Sequence, residues 1–320
     1  MLISVIIPTH NRAAYLKEAI GGVLSQTIKG FEIIVVDDGS TDNTKEVVAS
    51  YKDKVRYIFQ KNSERAVARN NGILQAKGDY IAFLDSDDIW LPEHLQACLR
   101  AFHNAPKGTG LAFSGSYLMD KKGKIISKIG LSPANGDVLK KIVSRFSSGG
   151  CNSSSCLVKK DIFDKAGYFN EDKDLSISGE DWEMWARLAA HTKFVSTNSY
   201  TVKIRFHQEA SRRQVDRMAF SMAKALDTVY ANPEISAKIM EVRRQAYSSL
   251  NAVIAINYYA SGDMKNARRY LRKSLQHNPL SLFTDKYIFY TLLRSLLGSR
   301  FSSKARKFKR SFTRACLNTI

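Results

Sequence analysis

The sequence predicts an α/β fold in which strands and helices alternate around a doubly wound sheet. Short apolar runs rich in β-branched residues are each followed by a polar loop and then by apolar residues at helical spacing. This alternation favours a largely parallel sheet with buried central strands. With 320 residues, six prolines and 44% hydrophobic residues, the chain can bury a large core, which excludes a wholly disordered or collagen-like protein.

The first four strands and the helices between them follow from these runs. The predicted strands are LISVII at 2–7, the run at 31–36, VRYIFQ at 55–60 and DYIAFLD at 79–85. One helix is predicted after the loop PTHNR, a second starts with Ser40, Thr41 or Asp42 as its cap, and a third covers about 65–76 and is ended by Gly78. In such a sheet, ligands bind where loops leave the carboxyl ends of the strands.

From about residue 110 to 210 the alternation is looser, and the pattern predicts a mixed half that completes the same domain. The predicted elements are strands at 111–119, 155–160 and 193–207, a helix at 180–191 and a Gly- and Ser-rich loop at 147–156. We therefore expect one α/β domain over 1–210 and a separate helical region over 211–320.

The region 211–320 is predicted to be all-helical and strongly basic. It holds 21 Lys and Arg against 6 Asp and Glu, a net charge of +15 out of +19 for the chain. The segment YYASGDMKNARRYLRKSLQHNP resembles one tetratricopeptide unit, but no second copy follows at a period of about 34 residues. A helical hairpin packed on the main domain is the simpler interpretation. The charge asymmetry predicts a polyanionic partner, either acidic lipid or nucleic acid.

The sequence predicts a cytoplasmic protein. Its start, MLISVIIPTHNR, has no basic leader, and no apolar run approaches the roughly 20 residues of a membrane span. The four cysteines have no paired CxxC spacing, so neither a zinc site nor a disulfide framework is expected. The basic C-terminal third, which ends in the amphipathic stretch LLRSLLGSRFSSKARKFKRSFTRACL, predicts peripheral attachment to an anionic membrane on its inner face.

Two predicted strands end in carboxylates. The run EIIVV leads into Asp37 and Asp38, and the run IAFL leads into Asp85, Asp87 and Asp88. Clustered carboxylates repel each other unless a cation or hydrogen bonds compensate them. Mg²⁺ and Mn²⁺ prefer oxygen ligands, usually one or two carboxylates plus substrate phosphates. A helix cap or an Asx turn is the alternative interpretation of each acidic pair taken alone.

A third acidic pair opens the predicted helix at 180–191. Glu180 and Asp181 stand in its first turn, ahead of an apolar face formed by Trp182, Trp185, Leu188 and Ala189. The two acids complement the helix dipole in the simpler interpretation. A carboxylate on a rigid helix beside a metal-phosphate site is also suited to act as a general base.

Taken together, these motifs resemble the inverting family 2 glycosyltransferases, whose GT-A fold is a Rossmann-like, doubly wound mixed sheet. The resemblance rests on SVIIPTHNR, EIIVVDDGSTDNT, ERAVARNNGI, GDYIAFLDSDD and GEDWEMWARL, in the family's order. It implies transfer of a sugar from a nucleotide diphosphate sugar, commonly UDP-linked, to an acceptor hydroxyl, with Mn²⁺ or Mg²⁺ and with inversion. It also implies an acceptor from polysaccharide, lipopolysaccharide or lipid-linked glycan synthesis.

The resemblance also implies donor-binding roles. Asp38 would accept a hydrogen bond from the base edge of the nucleotide, while Pro8 and His10 would flank the base and ribose. Arg65 would contact base or phosphate. Asp85, which begins the DxD pattern, would face the ribose.

The metal and acceptor sides are assigned in the same way. Asp87 would ligate the metal, with Ser86 beside it on the donor side. His207 would be a further metal or diphosphate contact, or else structural. Asp181 resembles the base that removes the acceptor proton, and Glu180 would orient the acceptor or be structural.

The remaining residues of these motifs have a supporting role or allow two interpretations. Asp37 and Asp88 are expected to support their neighbours, and Arg69 either contributes to the site or packs a helix. The loop 147–156 either lines the sugar or acceptor pocket or forms a solvated turn.

Two other functions fit part of the sequence. A metal-dependent nucleotidyltransferase would also use strand-end acids, but the first strand-helix turn has no Gly-rich, basic triphosphate loop. A nucleic-acid-binding protein would explain the positive charge, but the C-terminal aromatic residues are spaced like helix-core residues rather than as a stacking platform. We therefore expect no nucleic-acid partner.

Overall fold

The computed structural model describes residues 1–130, 135–148, 150–206 and 215–280. The strands are β1 Ile3–Thr9, β2 Phe31–Asp38, β3 Arg56–Gln60, β4 Tyr80–Phe83, β5 Ile89–Trp90, β6 Thr109–Met119, β7 Ile125–Ile129, β8 Cys156–Lys159 and β9 Lys193–Arg205. The helices are α1 Ala13–Leu24, α2 Thr44–Ala49, α3 Arg65–Gln75, α4 His94–His103, α5 Leu139–Arg145, α6 Asp161–Ala166, α7 Glu180–His191, α8 Val215–Ala231, α9 Pro233–Ile239, α10 Arg243–Ser261 and α11 Met264–His277.

All described strands form one mixed sheet. Its order is β3-β2-β1-β4-β8-β6-β9-β5, and β7 pairs with β6. The first four strands of that order are parallel, β8 runs antiparallel between β4 and β6, and β6 and β9 are again parallel. The structure therefore confirms the predicted α/β class with a doubly wound, mixed sheet.

Helices cover both faces of the sheet because side chains alternate along its buried strands. Val5 and Ile7 of β1 pack in a core with α1, α2 and α4, whereas Ile6 packs in the core that includes α3 and α7. Helix α3 lies so close to β1 that a Cβ atom on Gly72 would come within 2.4 Å of Ile6 Cγ2. Glycine at this position therefore sets the distance between helix and sheet.

The parallel strands end at one edge of the sheet, and this places the acidic motifs. Thr9 is in register with Asp37, and Ile6 with Phe83. The loops that follow β1, β2 and β4 therefore leave the same edge, as predicted for a ligand site in this class of sheet. Asp37 and Asp38 are the last two residues of β2.

The described C-terminal helices pack on the sheet domain, which confirms the predicted α-helical extension. Helix α10 lies against α5 and α8; Ser249 Oγ donates to the backbone oxygen of Ser144 at 2.8 Å, and Tyr258 hydroxyl donates to Asp216. Helices α10 and α11 form a hairpin joined at Gly262, whose φ is +90°. Within the described ranges, no helix has both the length and the apolar composition of a membrane span.

Helix α2 begins later than the sequence predicts. It starts at Thr44 with Asn43 as its cap residue, because the preceding residues hold the first loop in place. Asp42 accepts hydrogen bonds from the backbone nitrogens of Ala13 and Thr44, both at 3.1 Å. Helix α3 spans Arg65–Gln75, which agrees with the predicted 65–76 to within one residue, and it ends three residues before Gly78.

His94 provides a test of how the core responds to pH. Its ring is fully buried, lies 4.4 Å from the Trp90 ring, and its Nδ1 is 2.7 Å from Thr201 Oγ1. Burial lowers the pKa of His94 to about 3. Between these two pKa values the unfolded state binds a proton at His94 and the native state does not. The free energy of unfolding therefore falls as pH falls below the unfolded-state pKa of about 6.5.

We expect wild-type protein to lose about 2 kcal/mol of unfolding free energy through His94 between pH 7 and pH 5. The His94→Gln variant should lack this part of the loss, whereas His103→Gln, an exposed position on the same helix, should behave like wild type. Urea unfolding at the two pH values measures this. An equal pH dependence for His94→Gln and wild type would contradict the prediction.

Candidate active site

The loops after β1 and β2 are tied together at the carboxyl edge of the sheet. Asn11 Oδ1 accepts hydrogen bonds from the backbone nitrogens of Thr41 at 2.8 Å and Asp42 at 3.3 Å, and Asn11 nitrogen donates to Ser40 Oγ at 2.9 Å. Asn11 has a φ of 52°, a conformation that asparagine tolerates better than most residues. The first loop is therefore held in one shape beside the end of β2.

Asp38 and His10 meet at this edge. Asp38 is buried, and its Oδ1 accepts hydrogen bonds from Gln60 Nε2 at 2.7 Å and Ser63 nitrogen at 2.8 Å. The Asp38 backbone oxygen lies 2.8 Å from Nδ1 of the exposed His10. Pro8 is buried within β1. The structure thus brings together two of the residues predicted to bind the nucleotide base.

The Asp37 carboxylate contacts the loop after β2 and the neighbouring strand β3. Its Oδ1 accepts from Ser40 nitrogen at 2.8 Å, and its Oδ2 accepts from Tyr57 hydroxyl at 2.6 Å. Burial, followed by this hydrogen bond, holds the pKa of Tyr57 well above its ordinary value. Asp37 therefore stabilises the loop and the neighbouring strand.

Arg69 joins the second and third acidic motifs. Its side chain is fully buried; Nη2 donates to Asp85 Oδ1 at 2.9 Å, and Nη1 donates to Asp181 Oδ1 at 2.7 Å and Glu180 Oε1 at 2.9 Å. The guanidinium also lies 5.2 Å from the centre of the Phe169 ring. One cation therefore holds three carboxylates from two distant parts of the chain.

Glu180 is the most deeply buried of these three carboxylates. Burial raises its pKa to about 7, against the lowering effect of Arg65 and Arg69. Arg65 Nε lies 2.7 Å from Glu180 Oε1, and its Nη2 donates to the backbone oxygen of Ser176. The structure therefore places the Arg65 side chain against residues at the start of α7.

The acids after β4 have separate partners. The Asp87 carboxylate pairs with the half-exposed Arg12. Asp88 Oδ2 accepts from Ser154 Oγ at 2.6 Å and its Oδ1 from Arg205 nitrogen at 3.0 Å. Burial, followed by the charges of Asp87 and Asp85, raises the pKa of Asp88 well above its usual range. Ser86 is buried between Asp85 and Asp87.

The oxygen donors present fit a divalent cation that a diphosphate helps to hold. Among the described residues, no group of three His, Cys, Asp or Glu side chains is arranged as a metal site. Mg²⁺ and Mn²⁺, however, commonly use only one or two protein carboxylates together with phosphate oxygens. Asp87 already faces a positive group in Arg12, and Asp85, Asp87 and Asp88 lie within four consecutive residues after β4. His207 lies outside the described residues.

The sequence left two features of the site open, the role of Arg69 and that of the loop 147–156. Arg69 lies on the buried face of α3 with Ala66, Asn70 and Ile73, a spacing of three and four residues that could have identified it as inward-facing. The serines of the loop 147–156 contact the acids directly: Ser153 Oγ donates to Asp181 Oδ2 at 2.8 Å. No local pattern in the sequence reports that contact.

Comparison with known proteins places this geometry in context. Residues 4–167 match the profile of the family described as Glycosyl transferase family 2. An uncharacterized glycosyltransferase of Rickettsia conorii is 32% identical over 222 residues, which are 67% of this chain and 35% of that protein. The chain spans about a third of the length of the curated relatives that it matches first.

Two solved structures share the fold. The 1-349 fragment of S. aureus TarS in complex with UDP-GlcNAc has a TM-score of 0.55 and 18% identity, over 86% of this chain and 92% of that one. The mannosyltransferase PcManGT from Pyrobaculum calidifontis, in complex with GDP-Man and Mn²⁺, has a TM-score of 0.57 and 17% identity, over 98% of this chain and 85% of that one. These likenesses confirm the predicted GT-A fold.

Proposed function

Because the chain belongs to glycosyltransferase family 2, we propose that it transfers a sugar from a nucleotide diphosphate sugar, UDP-linked, to an acceptor hydroxyl with inversion. The observation that carries the proposal is the buried guanidinium of Arg69, which contacts Asp85 at 2.9 Å and Asp181 at 2.7 Å. Donor-side and acceptor-side carboxylates, far apart in sequence, thus lie within reach of one side chain. A displacement reaction needs this proximity.

The donor half uses the edge formed by β1, β2 and β4. Asp38, fixed by Gln60 and Ser63, accepts a hydrogen bond from the base, while His10 and Pro8 flank base and ribose. Asp85 and Ser86 face the ribose side of the diphosphate. The likeness to structures holding UDP-GlcNAc and GDP-Man supports a nucleotide-sugar donor, and the family resemblance of the sequence motifs favours UDP.

The acceptor half uses the start of α7. Asp181 accepts the proton of the acceptor hydroxyl as that oxygen bonds to the anomeric carbon, and the bond from this carbon to the diphosphate oxygen breaks. Because the base and the leaving group stand on opposite faces of the sugar, one in-line displacement inverts the configuration. Glu180 is buried and forms ion pairs with Arg65 and Arg69. These ion pairs fix the first turn of α7, which carries Asp181.

Mn²⁺ or Mg²⁺ would be held by Asp87 and by the diphosphate of the donor, with His207 as a further candidate ligand. Such a cation supplies positive charge that stabilises the leaving diphosphate. In this structure Arg12 contacts one oxygen of the Asp87 carboxylate, Oδ2.

A panel of nucleotide sugars tests the proposed function. We expect release of UDP only with the matching donor and acceptor, and we expect a chelator to reduce it; release of GDP instead would overturn the choice of a UDP-linked donor. The readout separates sugar transfer from nucleotidyl transfer, because the latter releases pyrophosphate. Absence of turnover with every activated sugar, or release of pyrophosphate, would overturn the proposal.

The basic outer face of α11 supports a second part of the proposal, attachment to an anionic membrane that presents a lipid-linked or polysaccharide acceptor. Lys265, Arg269 and Arg272 are exposed on this helix, which contains no acidic residue between Met264 and His277. Its apolar stripe packs on α10. Residues 281–320 add nine Lys and Arg against one Asp, so the rest of the chain adds positive charge.

Reversing three charges on α11 should therefore weaken membrane binding. Each Lys or Arg near an acidic surface is worth about 1 kcal/mol, so Lys265→Glu, Arg269→Glu and Arg272→Glu together should weaken binding by more than about 100-fold. The matched control changes three exposed lysines of the sheet domain, Lys29, Lys45 and Lys54, to Glu.

Sedimentation with vesicles containing phosphatidylglycerol measures both variants, at low and at high salt. Equal binding by the two triple variants would show that α11 is not the docking surface. Stronger binding of wild-type protein to RNA than to these vesicles would favour a nucleic-acid partner instead.

A further inference from the structure

A buried serine turn lies between the acceptor-side and the donor-side acids. Residues Ser153–Ser155 form one 3-10 turn immediately before β8, and all three are at most 2% exposed. Adjacent side chains in this turn point to different carboxylates. Ser153 Oγ donates to Asp181 Oδ2 at 2.8 Å, and Ser154 Oγ donates to Asp88 Oδ2 at 2.6 Å while accepting from Asp85 nitrogen at 3.0 Å.

The turn is anchored to the rigid part of the molecule. Trp90 Nε1 donates to the backbone oxygen of Ser154 at 2.6 Å. Strand β8, which follows directly, pairs with both β4 and β6 in the middle of the sheet. Ser155 closes the turn on itself, since its Oγ donates to the Asn152 backbone oxygen at 3.1 Å. The hydroxyls of Ser153 and Ser154 are therefore fixed relative to the sheet.

The Asp181 carboxylate is consequently held from two sides. Arg69 contacts Oδ1 and Ser153 contacts Oδ2, so rotation of the carboxylate would break one of the two contacts. A base held in this way keeps its remaining lone pairs in one direction. A hydrogen bond from serine also makes the carboxylate a weaker base, so the contact helps catalysis only if orientation matters more than basicity.

We propose that Ser153 and Ser154 are positioning residues that set the geometry between the base and the leaving group. The proposal rests on the function proposed above. Ser153 orients Asp181 toward the acceptor hydroxyl, and Ser154 holds Asp88 and the Asp85 backbone at the donor side. Because the two serines are neighbours in one rigid turn, the acceptor side and the donor side keep a constant separation. Misplacement of a catalytic group by about 1 Å can cost about 100-fold in rate.

Kinetics of four variants test the proposal on the full chain. Ser153→Ala should lower kcat by about 10-fold to 100-fold and leave the donor Kd, measured by calorimetry, unchanged. Ser153→Thr, which keeps the hydroxyl, should restore most of the activity. Ser154→Ala should weaken donor binding instead. Ser274→Ala removes a buried hydroxyl whose contact is Ser248 on the neighbouring helix and not an acid, and it should leave both constants close to wild type.

The proposal is wrong if Ser153→Ala keeps wild-type kcat, or if Ser274→Ala loses as much as Ser153→Ala. It also fails if threonine does not rescue position 153. Failure of the wild-type protein to use any activated sugar would count against the proposed function and not against the serine contacts.

A stability measurement, which needs no sugar donor, tests the serine contact even if the wild-type protein shows no turnover. In a double-mutant cycle of Ser153→Ala and Asp181→Ala, the shifts of the urea midpoint should be non-additive, because each change removes the same hydrogen bond. Additive shifts would refute the contact on which the proposal depends.

Discussion

Replacement of Asp181 by asparagine is expected to lower kcat by about three orders of magnitude while leaving donor affinity unchanged. Asparagine has the size of aspartate, so it can still contact Arg69 and Ser153, but its amide cannot take up a proton. The donor contacts proposed for Asp38, Asp85 and Asp87 are untouched. The loss should therefore appear in the chemical step and not in binding.

Nucleotide release under saturating donor gives kcat, and calorimetry gives the donor Kd. Asp174→Asn is a suitable control, because it is the same chemical change at a half-exposed carboxylate that pairs with Lys224, and it should leave both constants unaltered. Turnover of Asp181→Asn within tenfold of wild type would show that another group takes up the acceptor proton.

Replacement of Arg69 by methionine is expected to lower the free energy of unfolding by about 3–5 kcal/mol at neutral pH. Methionine fills much of the same volume but leaves Asp85, Glu180 and Asp181 without the cation that they share. Arg100→Met, at an exposed position on α4, provides the control and should change stability by less than about 0.5 kcal/mol.

The sign of the pH dependence distinguishes charge loss from poor packing. Burial already raises the pKa of Glu180 to about 7, and Arg69 opposes this rise, so its removal should raise the pKa further. A carboxyl group whose native pKa is raised destabilises the fold when ionised and ceases to do so once protonated. The part of the Arg69→Met deficit that comes from Glu180 should therefore shrink as pH falls from 8 toward about 7 and be nearly absent below that pH.

Urea unfolding from pH 8 to pH 5 measures this deficit. A constant difference between wild type and Arg69→Met over the whole range would indicate that the cost comes from packing alone. A difference no larger than that of Arg100→Met would show that the carboxylates need no buried counter-charge.

Much of the framework could be predicted from local pattern. Helix α7 spans Glu180–His191 as the apolar spacing predicts, and the run at 31–36 forms the core of β2. The position of Asp37, Asp38 and Asp85 at the carboxyl edge followed from the same pattern, since a strand that is apolar up to its last residues delivers the next side chains to the edge of the sheet. Hydrophobic periodicity depends only on residues that are close in sequence, so it can be recognised without knowing the fold.

The partners of the polar side chains could not be predicted in this way. No local pattern in the sequence pairs Arg65 with Glu180 and Ser176, the contacts that the structure gives it. Asp87 is paired with Arg12, and Ser153 with Asp181. These pairs join residues distant along the chain, and nothing in the chemistry of one carboxylate selects among several arginines.

The sequence by itself therefore determined the alternation of strands and helices, the edge at which the acids stand and the concentration of positive charge after residue 210. Only the tertiary structure decided that a fully buried Arg69 links Asp85 to Asp181 and that one serine turn contacts acids of both sets. The physical reason is that burial of apolar faces acts through local periodicity, whereas the pairing of charges depends on which loops the packed sheet brings within hydrogen-bond distance.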